Sequence, residues 1–591
     1  MSSHFDLSGL KAYYVLVHGM SGIAMAMDRS TAASSGALLL FFVYVASLAV
    51  VVDASYAFYV GSSLTASGDI LIGGSGEEVS GHWLQIFPAA EHAANETITV
   101  GVTDEAVLPG RLITIPQVSH THRYISMEYS DYWGLPAPLT NGGLNDRGVA
   151  VRDVWAPNRR ELVDMTPDPQ TGVNYSNLAR LVMERARSAR HAVEIIGELI
   201  REHGYATYGG NTHLVADRDE AWVVWEFAGG RKLWAAERLR PDEVRVLYPG
   251  YIGDFPVDFE RDPENYMGAP HLVTFAQEQG WWSSRASKTP SLINLVEVYG
   301  LAQDDTSPVG GGVGRVSHRE MEEATLEKVP VTEQDLMSLV RDPRMSTDEA
   351  GYGQVVRLPK DGNMDPDLRR IWIAPTGSVA APFVPWWLGV QSVPPEFGQH
   401  RYLLKEASST FLNPGFQLQE ASLFAGRLFK RVLYYMCSAP RLFRPLVQDM
   451  LVGFESQSLR DVEWVERTGE ILVSAARRKE GGTDEAGRDL LHKLLTHYTH
   501  SRASHALELG SSIVDALDGY IKMTGGWRDP VSGDKRMNLP ADEEGINCLL
   551  LDEPDPFDAT TTPPPPLAAL QQNQRPLTRA AKAFERFFGG S

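Results

Sequence analysis

An uncharged stretch near the start of the chain is the sequence feature that most constrains the fold. Residues 30–52 carry no charge, and residues 37–52 are almost wholly apolar. Arg29 precedes the stretch, and small residues stand at positions 52 and 54, as in the −3 and −1 positions of a signal-peptide cleavage site. This pattern predicts a leader over residues 1–54 and a mature chain that begins at Ser55. The apolar run is longer than a usual signal core and shorter than a comfortable span, so an uncleaved anchor and a buried core helix remain alternatives.

The charge and cysteine content narrow the classes of partner and of site. The 591 residues include 54 Lys and Arg against 75 Asp and Glu, a formal net charge of −21. This acidic balance argues against nucleic acid as the main partner, because phosphate binding needs a basic surface. Only Cys437 and Cys548 occur. They exclude a disulfide framework and a zinc site of paired CxxC motifs, but one bridge between them stays possible.

Short β-strands are predicted for the segment after the leader, followed by two helices. Between residues 55 and 135, β-branched and aromatic runs such as SYAFYV, DILIG and TITVGV are separated by Gly, Ser, Asn and Asp clusters. Residues 176–203 carry apolar side chains at helical spacing. Ser188 inside this segment predicts the start of a second helix, and Gly204 predicts its end.

The last third of the chain is predicted to be helical and to end in a tail of different character. Residues 401–455 and 485–522 show helical periodicity, whereas TTTPPPP at 560–566 predicts a stiff linker. The predicted organisation is a leader over 1–54, one large α+β domain over 55–550, a Pro-rich linker over 551–576 and a short amphipathic basic tail over 577–591.

Two features that could suggest a metal or thiol site have simpler interpretations. His120 and His122 alternate on a predicted strand and could face a metal together, but no third ligand stands at a recognisable spacing. We interpret them as structural or surface histidines, and we expect no metal or organic cofactor. Cys437 lies in an apolar helical stretch, which predicts a buried, inert thiol.

Ser55 is the candidate for nucleophilic catalysis. A serine that becomes N-terminal carries its own base, since an α-amine with a pKa of about 7.7–8.0 can accept the hydroxyl proton near neutral pH. Such a site also needs donors for the tetrahedral oxyanion, typically a side-chain amide and a backbone N–H. No G-x-S-x-G elbow, HExxH motif, P-loop or dinucleotide-binding fingerprint is present in the sequence.

The residues around Ser55 resemble a known family. SYAFYVGSSLTASGDILIGGSGEE is similar to the mature N-terminus of the PepD-type dipeptidases, N-terminal nucleophile hydrolases related to the secernins. The resemblance continues through NGGLNDRGVAVRDVW, GELIREHGY, GGNTHLVADRDEAWVVWEF, IWIAPTGSVAAPFVPWWLGV and HKLLTHYTHSRASHALELG. These blocks occur in the family's order and span roughly residues 55–520.

The resemblance also defines departures and site residues. The family nucleophile is Cys, and the matching residue here is Ser55; the family Arg matches Gly74, so the usual cation beside the nucleophile is missing. The family Asp matches Glu77, or Glu78 with a one-residue shift, and a carboxylate there would hold the substrate amine or the ammonium group of the nucleophile. Asn211 matches an amide near the oxyanion, and a turn residue before a strand is the alternative. Asn145 is a second amide candidate, for which a turn role is the alternative.

The resemblance implies an α+β fold, the αββα four-layer sandwich of N-terminal nucleophile hydrolases with additional C-terminal helices, in which Ser55 begins a central strand. It implies an exported dipeptidase that acts on short peptides. An amidase or acylase on the same scaffold is one alternative, and a catalytically inactive exported binding homologue is another. The N-terminal apolar segment would provide any membrane association, and the oligomeric state is not predicted.

Overall fold

The computed structural model describes residues 55–76, 82–129, 134–137, 139–285, 287–301, 316–346, 350–362, 364–398, 424–437, 440–478 and 484–523. The predicted leader, linker and tail, and the candidate residues Glu77 and Glu78, lie outside these ranges. The strands within them are β1 Tyr56–Val60, β2 Ile70–Gly76, β3 His82–Phe87, β4 Ala90–Glu91, β5 Thr97–Val100, β6 Ile113–Pro116, β7 His120–Thr121, β8 Tyr124–Tyr129, β9 Leu139–Asn145, β10 Ala150–Trp155, β11 Asn211–Ala216, β12 Ala221–Glu226, β13 Trp234–Leu239, β14 Val244–Leu247, β15 Asp254–Pro256, β16 Tyr266–Gly268, β17 Leu292–Asn294, β18 Tyr352–Leu358, β19 Arg370–Ala374 and β20 Val384–Trp387.

The α-helices of the described residues are α1 Arg160–Val163, α2 Tyr175–Arg185, α3 Ala189–His203, α4 Leu272–Glu278, α5 Leu295–Tyr299, α6 His318–Leu326, α7 Glu333–Val340, α8 Ala425–Met436, α9 Pro440–Arg478 and α10 Asp484–Met523. Local signals set several of their ends. Ser188 accepts a hydrogen bond from the His191 N–H and begins α3, and Gly204 ends it at a φ of 88°. Asn174 forms a capping box with Asn177 at the start of α2.

Two large antiparallel sheets form the centre of the fold. One has six strands in the order β14-β1-β2-β18-β19-β20, and the other has eight in the order β16-β13-β12-β11-β10-β9-β8-β3. The sheets face each other, with β1 and β2 packed against β10 and β19 against β9. Nearly every strand residue at this interface is buried, because each strand has a neighbouring layer on both faces.

Helices cover the outer faces of both sheets. α2 and α3 pack on β9 to β13 of the eight-stranded sheet, whereas α6 and α7 pack on β14, β2 and β18 of the six-stranded sheet. The order of layers is therefore helices, sheet, sheet, helices. The presence of helices and two antiparallel sheets confirms the α+β class predicted from the sequence.

Buried ion pairs attach the long helix α9 to helix α7 and to the six-stranded sheet. The guanidinium of Arg341, at the end of α7, donates to both carboxylate oxygens of Glu455 on α9. Arg370 of β19 lies between Glu333 of α7 and Glu466 of α9, and is 6% exposed. A buried charge is tolerated only when it is paired and hydrogen-bonded, so these contacts make α9 part of the folded body.

The structure confirms several sequence predictions and corrects one. The segment 176–203 forms two helices that meet at Ser188, and a helix is present in each of the two late regions predicted to be helical. Cys437 is buried, as predicted, with 6% of its surface exposed, but it is disulfide-bonded and is therefore not the inert thiol that its apolar stretch predicts. No helix among the described residues is long and apolar enough to span a membrane; the apolar run at 37–52 is not among those residues.

Candidate active site

Ser55 stands directly before β1, an interior strand of the six-stranded sheet. It is buried, with 7% of its surface exposed. Tyr56 pairs with Ser75 of β2 and Ala57 pairs with Gly74, so the same antiparallel register places Ser55 opposite Gly76. Gly76 pairs in turn with a residue of β18, at the start of that strand. Ser55 thus lies at one end of the interface between the sheets.

Strand alternation determines the direction of the Ser55 side chain. The hydroxyl of Tyr56 donates to the carbonyl of Val340 in α7 at 2.5 Å, so Tyr56 faces the helical layer. Because successive side chains of a strand point to opposite faces, Ser55 faces the eight-stranded sheet. Gln354 of β18 bridges this same interface, since its side-chain amide donates to the carbonyl of Val151 in β10 at 3.2 Å.

Arg152 projects from β10 into the space that Ser55 faces, and it is fully buried. Its guanidinium donates to the carbonyl oxygen of Ser75, the β2 residue that pairs with Tyr56. It also donates to the hydroxyl of Tyr352 at 2.9 Å, and Tyr352 pairs with Gly76. The sequence gives only a weak signal for this residue: Arg152 and Asp153 are two adjacent charged residues in a strand whose other residues are Ala, Val and Trp.

Asn211 occupies the first position of β11 and connects to Arg152 through a carboxylate. Its amide nitrogen donates to Asp153 Oδ2 at 3.1 Å, and Asp153 Oδ1 lies 3.4 Å from Arg152 Nη1. Asn211 is 3% exposed and Asp153 is likewise buried. A continuous polar chain therefore runs from Asn211 to the Ser55 end of β2. The proposed oxyanion role of Asn211 stays a prediction.

A second buried pair lies next to this polar chain. His213 Nδ1 is 2.9 Å from Glu226 Oε1, and His213 Nε2 is 3.1 Å from the carbonyl of Tyr175. Burial raises the pKa of Glu226 to about 7. Burial alone would lower the pKa of His213, but the adjacent Glu226 carboxylate outweighs it and raises that pKa. Both shifts favour the protonated form of the group concerned.

Asn145, the second amide candidate, lies at the other end of β9 and β10. Its amide nitrogen donates to the carbonyls of Met183 and Ala186 at 3.0 and 2.9 Å. Its oxygen accepts from the main-chain N–H groups of Arg147 and Val149. The structure does not bring Asn145 beside Asn211, which pairs with the last residue of β10. The structure favours the turn role that the sequence left open for Asn145.

Gly74 explains why the cation expected from the family pattern is missing from β2. Its φ is 156°, and a Cβ at this position would lie 2.2 Å from the Tyr56 carbonyl oxygen. A side chain here therefore needs a different backbone path in the centre of the sheet. Glu77 and Glu78 follow the last described residue of β2, and their proposed contact with substrate stays a prediction.

Two other features of the described residues lie apart from Ser55. A cavity of about 730 Å³ is lined by charged side chains such as Arg147, Arg218 and Arg369, at the end of the sheets away from Ser55. His120 and His122 pair with Glu91 and Asp146 at 2.7 and 3.1 Å. No group of three or more His, Cys, Asp or Glu residues in the described ranges could hold a metal ion.

Comparisons with known proteins agree with the resemblance seen in the motifs. Residues 114–307 match the model of Peptidase family C69. The chain is 32% identical over 133 residues to a probable dipeptidase B of Lactococcus lactis subsp. lactis (strain IL1403). The matched region is 22% of this chain and 26% of that protein. It is 26% identical over 170 residues to a probable dipeptidase of Latilactobacillus sakei, covering 28% of this chain and 33% of the relative. The chain thus spans about a quarter to a third of the length of these relatives.

A solved structure shows a more distant similarity. A mutant of the conjugated bile acid hydrolase from Clostridium perfringens matches 54% of this chain and 88% of its own, at 11% identity and a TM-score of 0.27. That score is too low to argue from. The match to the family model includes Asn145, Arg152 and Asn211 but not Ser55.

Proposed function

We propose that this chain, which belongs with the PepD-type dipeptidases, is an exported hydrolase of short peptides that uses Ser55 as an N-terminal nucleophile. The observation that carries the proposal is the position of Ser55. It is a buried serine at the start of an interior strand, and buried Arg152 of the facing sheet bonds the carbonyl of Ser75 in the neighbouring strand. The names of the relatives support peptides as substrates.

The order of the layers supports the finer assignment of the fold. Helices, two antiparallel sheets and helices follow one another, as in the αββα sandwich of N-terminal nucleophile hydrolases. In this arrangement α8, α9 and α10 are the additional C-terminal helices. The strand that begins after Ser55 is interior, so a nucleophile there is held by hydrogen bonds on both sides of its strand.

The reaction follows from a free Ser55 amine. The Oγ proton passes to the α-amine while Oγ bonds to the scissile carbonyl carbon. The amine then gives this proton to the leaving nitrogen, and the C–N bond breaks. Water, deprotonated by the same amine, hydrolyses the resulting ester and restores the hydroxyl. In this scheme Asn211 binds the oxyanion, and Glu77 or Glu78 holds the ammonium group of the peptide.

Cleavage after Ala54 is a condition of this mechanism, because an acylated nitrogen cannot act as the base. Intact-mass measurement of protein from its native host should therefore find a chain that begins at Ser55. A chain that retains residues 30–54 would contradict the catalytic model.

The decisive variant is Ser55→Ala in the processed protein, which keeps the α-amine and removes only the hydroxyl. Dipeptide hydrolysis should fall by several orders of magnitude, as expected when a covalent step is lost. Ser62→Ala is the matched control, since Ser62 is also buried but follows the opposite end of β1. That variant should stay within a few-fold of the wild type, and Ser55→Cys should retain or raise activity.

The other outcomes separate the competing functions. Ser55-dependent cleavage of amides or acyl-amino compounds, without dipeptide turnover, would indicate an amidase or acylase. No turnover of either class would indicate an inactive binding homologue. Dipeptide turnover that is indifferent to Ser55→Ala would refute the nucleophile assignment.

A further inference from the structure

Arg152 is a charged residue in the protein interior, where burying a charge is unfavourable. It is fully buried, and its described partners include three neutral oxygens: the Ser75 carbonyl, the Tyr352 hydroxyl and the Asn141 carbonyl, the last at 3.5 Å. Among the described residues it also forms an ion pair with its chain neighbour Asp153, at 3.4 Å. Burying an ionised group costs several kcal/mol unless strong contacts compensate. An apolar residue at this core-facing position of β10 would avoid that cost.

The facing strand provides the room for this guanidinium. β2 carries glycine at 73, 74 and 76, and the residues at 74 and 76 face the same side as Ser55. At Gly74 an added Cβ would overlap the Tyr56 carbonyl oxygen at 2.2 Å. The end of β2 nearest Ser55 therefore has no side chain on this face, and the Arg152 guanidinium comes close enough to the β2 backbone to donate a hydrogen bond to the Ser75 carbonyl.

We propose that Arg152 supplies the positive charge of the Ser55 site, delivered from the facing sheet because β2 has no side chain at position 74. This inference rests on the proposed function. The charge acts where Oγ and the substrate carbonyl oxygen gain negative charge during attack, in a space from which water is excluded. The same guanidinium positions the site, because it ties the ends of β2 and β18 that lie beside Ser55 to β10.

Two variants of Arg152 separate charge from hydrogen bonding. Arg152→Lys keeps the charge and loses the forked donor, whereas Arg152→Gln keeps a donor and loses the charge. In the processed enzyme, Arg152→Gln should lower kcat for dipeptide hydrolysis by about 10²-fold with little change in KM, as for the loss of one charge-stabilising group. Arg152→Lys should retain kcat within about tenfold of the wild type.

Arg370→Gln is the matched control. Arg370 is also a buried arginine of a core strand, but its partners are Glu333 and Glu466 at the helical layer. This variant should lower the melting temperature while its folded fraction keeps kcat within a few-fold. A control that loses kcat as strongly as Arg152→Gln would mean that the effect reports general damage, and would overturn the proposal.

The remaining outcomes are distinguishable. Equal kcat in the Lys and Gln variants of Arg152, both folded by circular dichroism, would overturn the role of the charge while Ser55 stays the nucleophile. A wild type without Ser55-dependent turnover would reject the proposed function, and the role of Arg152 with it. The Lys and Gln variants are compared with a wild type whose turnover depends on Ser55, so failure of the Arg152 proposal can be distinguished from failure of the proposed function.

Discussion

Replacing Gly74 with Ala should destabilise the protein by about 4 kcal/mol, although it adds a single methyl group. Gly74 lies in β2 between β1 and β18, with a φ of 156°. The added Cβ would stand 2.2 Å from the Tyr56 carbonyl oxygen and 3.1 Å from the Ala57 Cα. Both atoms belong to the backbone of a central strand, so neither can move without displacing the strand that begins at Ser55.

The magnitude combines two terms. A non-glycine residue in a sparsely populated region of φ costs about 1–3 kcal/mol. Overpacking of a closely packed interior by one carbon costs about another 1–3 kcal/mol. The middle of the combined range is the expected loss in the free energy of unfolding.

Urea denaturation followed by tryptophan fluorescence measures this loss, and Gly68→Ala is the matched control. Gly68 has a φ of 74°, but nothing lies within 4 Å of its added Cβ. Its substitution should cost only the conformational term, about 1–2 kcal/mol. Equal losses in the two variants would refute the claim that close approach of β1 excludes a side chain at position 74. The same reasoning predicts that Gly74→Arg, which would restore the family's residue, prevents folding instead of restoring a cation.

Three further predictions concern residues other than Ser55 and Gly74. Burial raises the pKa of Glu128 from 4.5 to about 7, so between pH 4.5 and pH 7 the folded protein binds a proton that the unfolded chain does not, and the free energy of unfolding falls as the pH rises. Glu128→Gln should remove about 3 kcal/mol of this pH-dependent fall, and an unchanged pH dependence of urea unfolding would contradict the prediction. Asn145→Ala should lower the free energy of unfolding by about 3 kcal/mol, because buried hydrogen bonds are lost, and should leave kcat within a few-fold of the wild type. A large loss of kcat without a loss of stability would instead indicate that Asn145 acts in the active site. Cys437→Ala should lower the free energy of unfolding by about 2–5 kcal/mol, because the disulfide is lost, and should leave kcat almost unchanged. A stability equal to that of the wild type would show that the disulfide does not stabilise the fold.

Local sequence signals determined much of the secondary structure. The apolar spacing of residues 176–203, with a serine at 188 and a glycine at 204, predicts two helices and their ends, because capping and periodicity act within a few residues. The strands predicted between 55 and 135 are present for the same reason. The ordered motif blocks also carried the resemblance to the PepD-type dipeptidases, since such a resemblance needs no knowledge of how distant segments meet.

The site depended on contacts that no local pattern contains. Arg152 bonds the carbonyl of Ser75, 77 residues earlier, and the hydroxyl of Tyr352, 200 residues later. From the sequence, Arg152 was only part of a motif block, and Gly74 was a missing cation. Asn211 was the first amide candidate and Asn145 the second, and the pairing of β9, β10 and β11 separates them by the length of a strand.

Sequence alone therefore predicted many of the helices and strands, and it offered Ser55 as the candidate nucleophile. Only the tertiary structure showed that Arg152 bonds the Ser75 carbonyl at the end of β2 and that Asn211 bonds Asp153. The physical reason is that a strand's inward face and register are set by packing against other sheets and helices. A charge becomes part of a site only when that packing removes water around it and brings distant backbone within bonding distance.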